Sequence, residues 1–350
     1  MRAARTFLAA AGLGTGLAMA LTTGPAHAAV TSYVALGDSY SSGTGTRSYI
    51  SDGTSCQRSV YAYPSLLAAS KNLTLNFRAC SGATVANVTS TQLGALGAGT
   101  TYVSISVGGN DAGFADVLTE CAQPGWMSDC NGAIDDAQYV ITNVLPSRLS
   151  TLYSSIRAKA PNARVTVVGY PRIFNGEDCN AGTWFSPTEE SRLNATADLL
   201  NSKTSAQAKA RGFAFANPTT AFTGHAVCDS VEWLNGLSNP VSESYHPNRP
   251  GHSGYATVVS PSLVGTAYTA STATLTKAAL RAGSLAAQQR RYAGADAAIT
   301  PMEFVAPDLS TARARAAAAA AGVDLSSRAS IDAADAAYSA RQAAEHPARR

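Results

Sequence analysis

The 350-residue chain reads as an α/β domain: a three-layer sandwich with a central parallel sheet of about five strands and helices on both faces. Short apolar runs of strand length recur along the chain, and longer stretches of helical pattern separate them. Several of the runs close in turns of small residues. Strands alternating with helices argue for parallel pairing, because a parallel neighbour needs a long crossover to bring the chain back. Crossovers of one hand then bring the strand ends, and the residues that follow them, to a common rim.

The first strand candidate is Tyr33–Leu36, and Gly37-Asp38-Ser39-Tyr40-Ser41-Ser42 follows it directly. A turn this rich in small residues leaves the Ser39 hydroxyl at the carboxyl edge of the sheet, where open α/β sheets bind their ligands. The second run, Leu73–Arg78, leads into Ala79-Cys80-Ser81-Gly82-Ala83-Thr84. The third, Tyr102–Val107, ends in Gly108-Gly109-Asn110-Asp111. Glycines there let the backbone approach a ligand, and Asn110 supplies a neutral NH2 donor. Residues 133–160 and 188–211 have helical patterns, with Pro146 expected to break or kink the former. Arg164–Gly169 and Phe213–Ala216 complete the strand set. Far along the chain, Ser244-Tyr245-His246-Pro247-Asn248-Arg249-Pro250-Gly251-His252 is dense in turn formers and offers a general base for Ser39. Each piece alone is ordinary turn chemistry; their combination is not.

Over roughly residues 30–270 these blocks resemble the SGNH (GDSL) hydrolases, named for a Ser, a Gly, an Asn and a His in four separate blocks. The resemblance implies a flavodoxin-like fold, with Ser39 as nucleophile and His246 as base. It further implies an oxyanion hole made from the N–H groups of Ser39 and Gly82 and the amide of Asn110. Position narrows the histidines independently. His27 falls in a leader and His346 in the tail, which leaves His225, His246 and His252 in the core. His252 reads as a helix-start or loop residue and His225 as a bystander. Two departures stand out. Tyr40 occupies a position where the family often has Leu, and Glu243 stands three residues before the histidine, where most members have Asp. Two acceptors therefore compete to orient His246: the Glu243 side chain and the Ser244 backbone carbonyl. The carbonyl is favoured, because the longer side chain must fold back over a tight loop. Asp38 and Asp111 read as turn-bracing carboxylates, and nothing favours a paired-carboxylate glycosidase.

Arg2 and Arg5 precede an uncharged run from Phe7 to Leu21, and Ala26-His27-Ala28 gives a small-x-small cleavage pattern. Residues 1–28 are thus expected to be a secretory signal, and the protein secreted and soluble. Six cysteines, Cys56, Cys80, Cys121, Cys130, Cys179 and Cys228, lie between the first block and the histidine loop. An even number in an exported chain implies disulfides, and the short Cys121–Cys130 loop suggests a local bridge. The chain most resembles the secreted bacterial lipases and phospholipase A1 enzymes of the family. That likeness implies sequential pairing, Cys56–Cys80, Cys121–Cys130 and Cys179–Cys228. Zinc-type spacing is absent from the sequence, and neither metal nor organic cofactor is expected.

Residues 29–270 are expected to form the catalytic domain and residues 271–350 an Ala-rich tail, partly helical or disordered. The tail carries 10 Lys+Arg against 7 Asp+Glu, and the core 14 against 16. Segments 309–321 and 331–344 have helix propensity but few large apolar residues, so weak packing is expected. Carboxylic esters of lipids, acylglycerols or phospholipids, are the expected substrates, with acetylated carbohydrate as the alternative and a silent wall-binding module as the remote one. Trp126, Met127, Trp184 and Phe185 are candidates to line an acyl groove or meet a lipid interface. A monomer with transient lipid-interface contact and no nucleic-acid partner is expected.

Overall fold

In the strand runs of the chain, Val34, Leu36, Val103, Ile105, Val165 and Val167 are all buried. Strands covered on both faces and rich in Val and Ile belong to a parallel sheet flanked by helices. A computed structural model describes residues 1, 3, 4, 6 and 31–345. Of the expected leader, Arg2, Arg5, Phe7 to Leu21 and Ala26-His27-Ala28 lie outside the described residues, as does His346.

The strands are β1 (Ser32–Gly37), β2 (Thr74–Phe77), β3 (Tyr102–Ser106), β4 (Arg164–Val168) and β5 (Ala214–Ala216). All pair in parallel, in the order β2-β1-β3-β4-β5, with Gly37 in register with Ser106. After β1 the chain moves to β2 on one side and then returns to β3 on the other. The carboxyl ends of β1 and β3 therefore flank the point where strand order reverses, the place where open sheets of this type hold ligands. Ser39 follows β1 and Asn110 follows β3.

The helices are α1 (Ser39–Ser42), α2 (Tyr63–Lys71), α3 (Val85–Asn87), α4 (Phe114–Cys121), α5 (Cys130–Tyr139), α6 (Leu145–Lys159), α7 (Pro187–Ala210) and α8 (Arg249–Val264). Five more follow: α9 (Thr272–Leu280), α10 (Ala282–Gln289), α11 (Ala293–Asp296), α12 (Ala312–Ala321) and α13 (Arg328–Glu345). Two groups flank the sheet. Helices α2 and α8 pack together, with α8 against β3, β4 and β5; α5, α6 and α7 form the other group. The helical stretch expected over residues 133–160 divides into α5, a π-type turn over residues 140–144, and α6, with Pro146 in its first turn. Proline donates no N–H and crowds the carbonyl four residues back, so the helix must restart there. Helix α7 opens on a reciprocal cap between Ser186 and Glu189.

The weak packing expected of the Ala-rich segment is not what the structure shows. From Thr31 onward the chain forms one compact unit. The Asp296 carboxylate, at the end of α11, is fully buried and pairs with Arg58 at 2.7 Å and Arg78 at 2.6 Å. Gln342 on α13 is buried against Ser186 and Glu189, receiving Ser186 Oγ at 2.7 Å and donating to Glu189 Oε1 at 3.0 Å. Ala314 and Ala318 on α12 are buried, and the Tyr338 ring lies so close to Gly125 that a Cβ there has no room. Small side chains let these helices approach closely, and polar anchors hold them beside a few large apolar groups, Leu285, Ile299, Phe304 and Ile331. Three disulfides cross-link the unit: Cys56–Cys80, Cys121–Cys130 and Cys179–Cys228. Among the described residues no helix is long and apolar enough to cross a membrane.

Candidate active site

Ser39 is the first residue of α1, a single turn capped by the Asp38 side chain, which accepts from the Tyr40 N–H at 3.1 Å. A first helical residue has no intrahelical partner for its N–H, and among the described residues the Ser39 N–H donates to no acceptor. Gly37 makes the tight exit from β1 possible. Its φ is +122°, and a Cβ there would fall 2.8 Å from Ser106 N. Gln92 fixes the two peptides that flank Gly37, with Oε1 accepting from Gly37 N–H at 2.7 Å and Nε2 donating to its carbonyl at 2.9 Å.

His246 arrives on a loop held by Asn235, whose N–H donates to the His246 carbonyl at 2.9 Å. His246 Nε2 lies 2.9 Å from Ser39 Oγ, and its Nδ1 lies 2.9 Å from the Ser244 carbonyl. An Nδ1–H donating to that carbonyl leaves Nε2 as the acceptor from the serine hydroxyl. Of the two candidate orienting groups, the backbone carbonyl is the one beside the ring. Glu243 is buried elsewhere: it accepts from Tyr49 OH at 2.5 Å and stands 3.8 Å from Arg47 Nε. Burial lowers the His246 pKa from its ordinary 6.5 to about 4, against a smaller upward push from Ser244.

Asn110 sits after the Gly108-Gly109 turn at the end of β3, and its Nδ2 donates to the Ala83 carbonyl at 3.0 Å. That bond uses one amide hydrogen and leaves the second. Gly82 has a φ of +82°, and among the described residues its N–H donates to no acceptor. Ser39, Asn110 and His246 share one slot, whose walls are otherwise mostly apolar, including Ala112, Phe114, Val117, Ile141, Ile173, Leu193 and Leu200. Its empty volume is about 750 Å³, part of it open to solvent.

Beneath the serine runs a buried polar ladder that sequence reasoning missed. Asp38 accepts from Ser106 Oγ at 2.6 Å and, by a short bond, from Tyr170 OH. Ser106 Oγ meets Ser41 Oγ at 2.8 Å, and Ser41 meets Tyr63 OH at 2.8 Å. Burial raises the Asp38 pKa to about 6, with the Ser106 and Tyr170 bonds pulling the other way. Tyr40, the departure from the family's usual Leu, donates its phenol to the Tyr245 carbonyl at 2.8 Å and ties the serine turn to the histidine loop. That departure was the available signal; nothing in the local sequence announced Tyr170 or Ser106.

The remaining candidates lie outside the slot. His252 is buried in the first turn of α8, its pKa lowered to about 3 by burial. His225 stacks on Trp233, with ring centroids 3.9 Å apart. Asp111 braces a turn, accepting from Val85 N–H at 2.9 Å. Trp126, Met127, Trp184 and Phe185 do not line the slot: Phe185 packs on Phe174 and Tyr245, and Trp184 lies beneath Arg328 of α13. Among the described residues, the cluster of metal-ligand types is Cys179, Cys228 and Glu232, whose two sulfurs are joined in a disulfide.

An all-parallel sheet of flavodoxin-like order with a serine–histidine pair at its switch point is the frame of a serine hydrolase of the α/β class. The model of the GDSL-like lipase/acylhydrolase family matches residues 35–253. The chain belongs to that family and is a carboxylic ester hydrolase. It is 46% identical over 250 residues to Lipase 1 of Streptomyces coelicolor, covering 71% of this chain and 91% of that one. A lipase of Streptomyces rimosus is 46% identical over 232 residues, covering 65% and 85%. Among solved structures, the extracellular lipase of S. rimosus superposes with a TM-score of 0.63 at 45% identity, over 67% of this chain and all of that one. Phospholipase A1 of Streptomyces albidoflavus superposes with a TM-score of 0.61 at 42% identity, over 65% and 96%.

Proposed function

We propose that this chain is a secreted serine lipase that cleaves carboxylic esters of lipids through an acyl-enzyme on Ser39. The observation that carries the reading is the 2.9 Å contact between Ser39 Oγ and His246 Nε2 at the mouth of an apolar slot. Ser39 Oγ attacks the ester carbonyl carbon while His246 Nε2 takes its proton. The Ser244 carbonyl holds Nδ1–H and so fixes the tautomer. The charge developing on the carbonyl oxygen falls to the Ser39 and Gly82 N–H groups and the Asn110 amide, each such donor being worth about 3 kcal/mol of barrier. Collapse of the tetrahedral intermediate breaks the ester C–O bond, and His246 returns the proton to the departing alcohol. Water then repeats the sequence on the acyl-enzyme and frees the acid.

The predominantly apolar lining supports an acyl chain over a bare acetyl group, since a site for acetylated sugar needs polar partners for the sugar hydroxyls. Export is supported by the leader pattern of residues 1–28, by three disulfides, and by the extracellular lipase among the similar structures. A p-nitrophenyl ester series run beside triolein, phosphatidylcholine and acetylated xylan tests the reading, with Ser39→Ala as control. Turnover confined to acetylated xylan, or ester cleavage that survives Ser39→Ala, would overturn it.

A further inference from the structure

The family match ends at residue 253, and the S. rimosus lipase is matched over its whole length by 67% of this chain. About a third of this chain therefore has no counterpart in that structure. Part of the C-terminal segment nevertheless reaches the ester site. A Cβ on Gly82 would stand 2.7 Å from Pro301 Cα and 3.0 Å from Met302 N, with the Thr300 carbonyl closer still. Met302 lines the same slot as Ser39, Asn110 and His246.

This crossing is clamped at both ends. Before it, Asp296 pairs with Arg58 and Arg78, and Ile299 is buried. After it, the buried Phe304 packs edge-on against Tyr245, the neighbour of His246, with ring centroids 4.9 Å apart. The Val305 N–H then donates to Thr119 Oγ1 on α4 at 2.9 Å. A segment held this way is a fixed wall, and the side chain it presents to the slot bounds the space a substrate can fill.

We propose that residues 299–305 are built into the ester site of this enzyme and that Met302 is a specificity-determining residue, its thioether side chain setting the size of ester that reaches Ser39. The inference rests on the serine-esterase reading above. An unbranched thioether yields to a flexible chain and resists a bulky one, so the size of residue 302 should tune preference among acyl esters. One methylene in an apolar pocket discriminates by about tenfold or more.

The test is the ratio of kcat/KM values across p-nitrophenyl acetate, butyrate, octanoate and palmitate for the wild type, Met302→Ala, Met302→Trp and Met302→Leu. Met302→Ala should move the ratio toward the longer esters by about tenfold and Met302→Trp toward the shorter ones by a similar factor, with Met302→Leu close to wild type. Melting temperatures read alongside separate a change of site from a change of fold. If all variants keep the wild-type ratio within twofold, or lose activity uniformly across the series, Met302 is packing only and the proposal fails. A wild type inert on every ester would bring down the esterase reading itself, and this inference with it.

Discussion

Asp296→Ala measures what the C-terminal segment contributes to the catalytic unit. The carboxylate receives Arg58 Nη2 at 2.7 Å, and Arg78 through Nη2 at 2.6 Å and Nη1 at 3.3 Å. All three side chains are buried. With Asp296 gone, Arg58 keeps Asp52 at 2.7 Å and the Ala79 carbonyl at 2.9 Å. Arg78 keeps only neutral acceptors, Gln289 Oε1 at 2.9 Å and the Thr91 carbonyl at 3.2 Å. Its pKa is already drawn down by burial, with Asp296 supplying the main compensation. Removing one partner from a buried pair costs on the order of 3–5 kcal/mol, because a charge is left without a counter-charge. The loss falls mainly on Arg78, so the lower half of that range is expected. Urea unfolding followed by tryptophan fluorescence, with the disulfides intact, gives the number. Asp52→Ala, which leaves Arg58 paired with Asp296, should cost less. Arg78→Met combined with Asp296→Leu should recover much of the loss, since that pair leaves no charge between positions 78 and 296 to compensate. A loss below about 1 kcal/mol for Asp296→Ala at unchanged m-value would refute the argument that this ion cluster anchors the segment.

Asn110→Ala should lower kcat by roughly 10²–10³-fold with a smaller change in KM, because an oxyanion donor acts mainly in the transition state; a change in KM alone would make it a ground-state binding residue. Glu243→Gln should cost less than about tenfold in kcat, since the Ser244 carbonyl and not this carboxylate lies against the His246 ring; a loss near 10⁴ would establish Glu243 as a third catalytic group. His246 and His252 are held neutral with pKa values of about 4 and about 3, against an ordinary 6.5. The unfolded chain then binds more protons between those values, so their contribution to stability is complete above pH 6.5 and is lost as pH falls through about 4 and about 3. Asp38, raised to about 6, opposes this in part by favouring the fold as pH drops from 6 toward 3.8. The acid limb of kcat/KM should accordingly lie well below 6.5, accompanied by a falling melting temperature; a limb at 6.5 with a flat melting temperature would contradict the burial of both rings.

The sheet and the serine–histidine pair were legible because their signals are local. Apolar runs ending in Gly-Asp-Ser and Gly-Gly-Asn mark strand ends, and parallel order gathers them. Glu243 marked an open choice, and the loop geometry sets the Ser244 carbonyl, not that carboxylate, beside the His246 ring. The C-terminal segment was illegible for a physical reason. Its anchors are Asp296, Gln289 and Gln342, polar residues whose burial depends on partners far away in the chain. Periodicity registers apolar stripes and is blind to such contacts. Trp126 and Trp184 misled in the converse way. Large aromatics next to disulfides look like a binding surface until α13 is found with Arg328 over Trp184 and Tyr338 against Gly125, the neighbour of Trp126.

The distance along the chain between the partners of the ion cluster has a consequence for the order of assembly. Arg58 meets Asp296 across 238 residues and Arg78 across 218. A chain growing from its N-terminus therefore holds every block of the family pattern, through His246, well before the carboxylate that neutralises these guanidiniums exists. Until then Arg58 has Asp52 but Arg78 has only neutral acceptors and is better left in water than enclosed, and closure over so long a loop adds its own entropic delay. The N-terminal portion is thus biased against sealing early. In a series of progressively longer nascent chains, protease resistance and ester cleavage should appear together, and only after Asp296 and the residues that cross Gly82 have emerged.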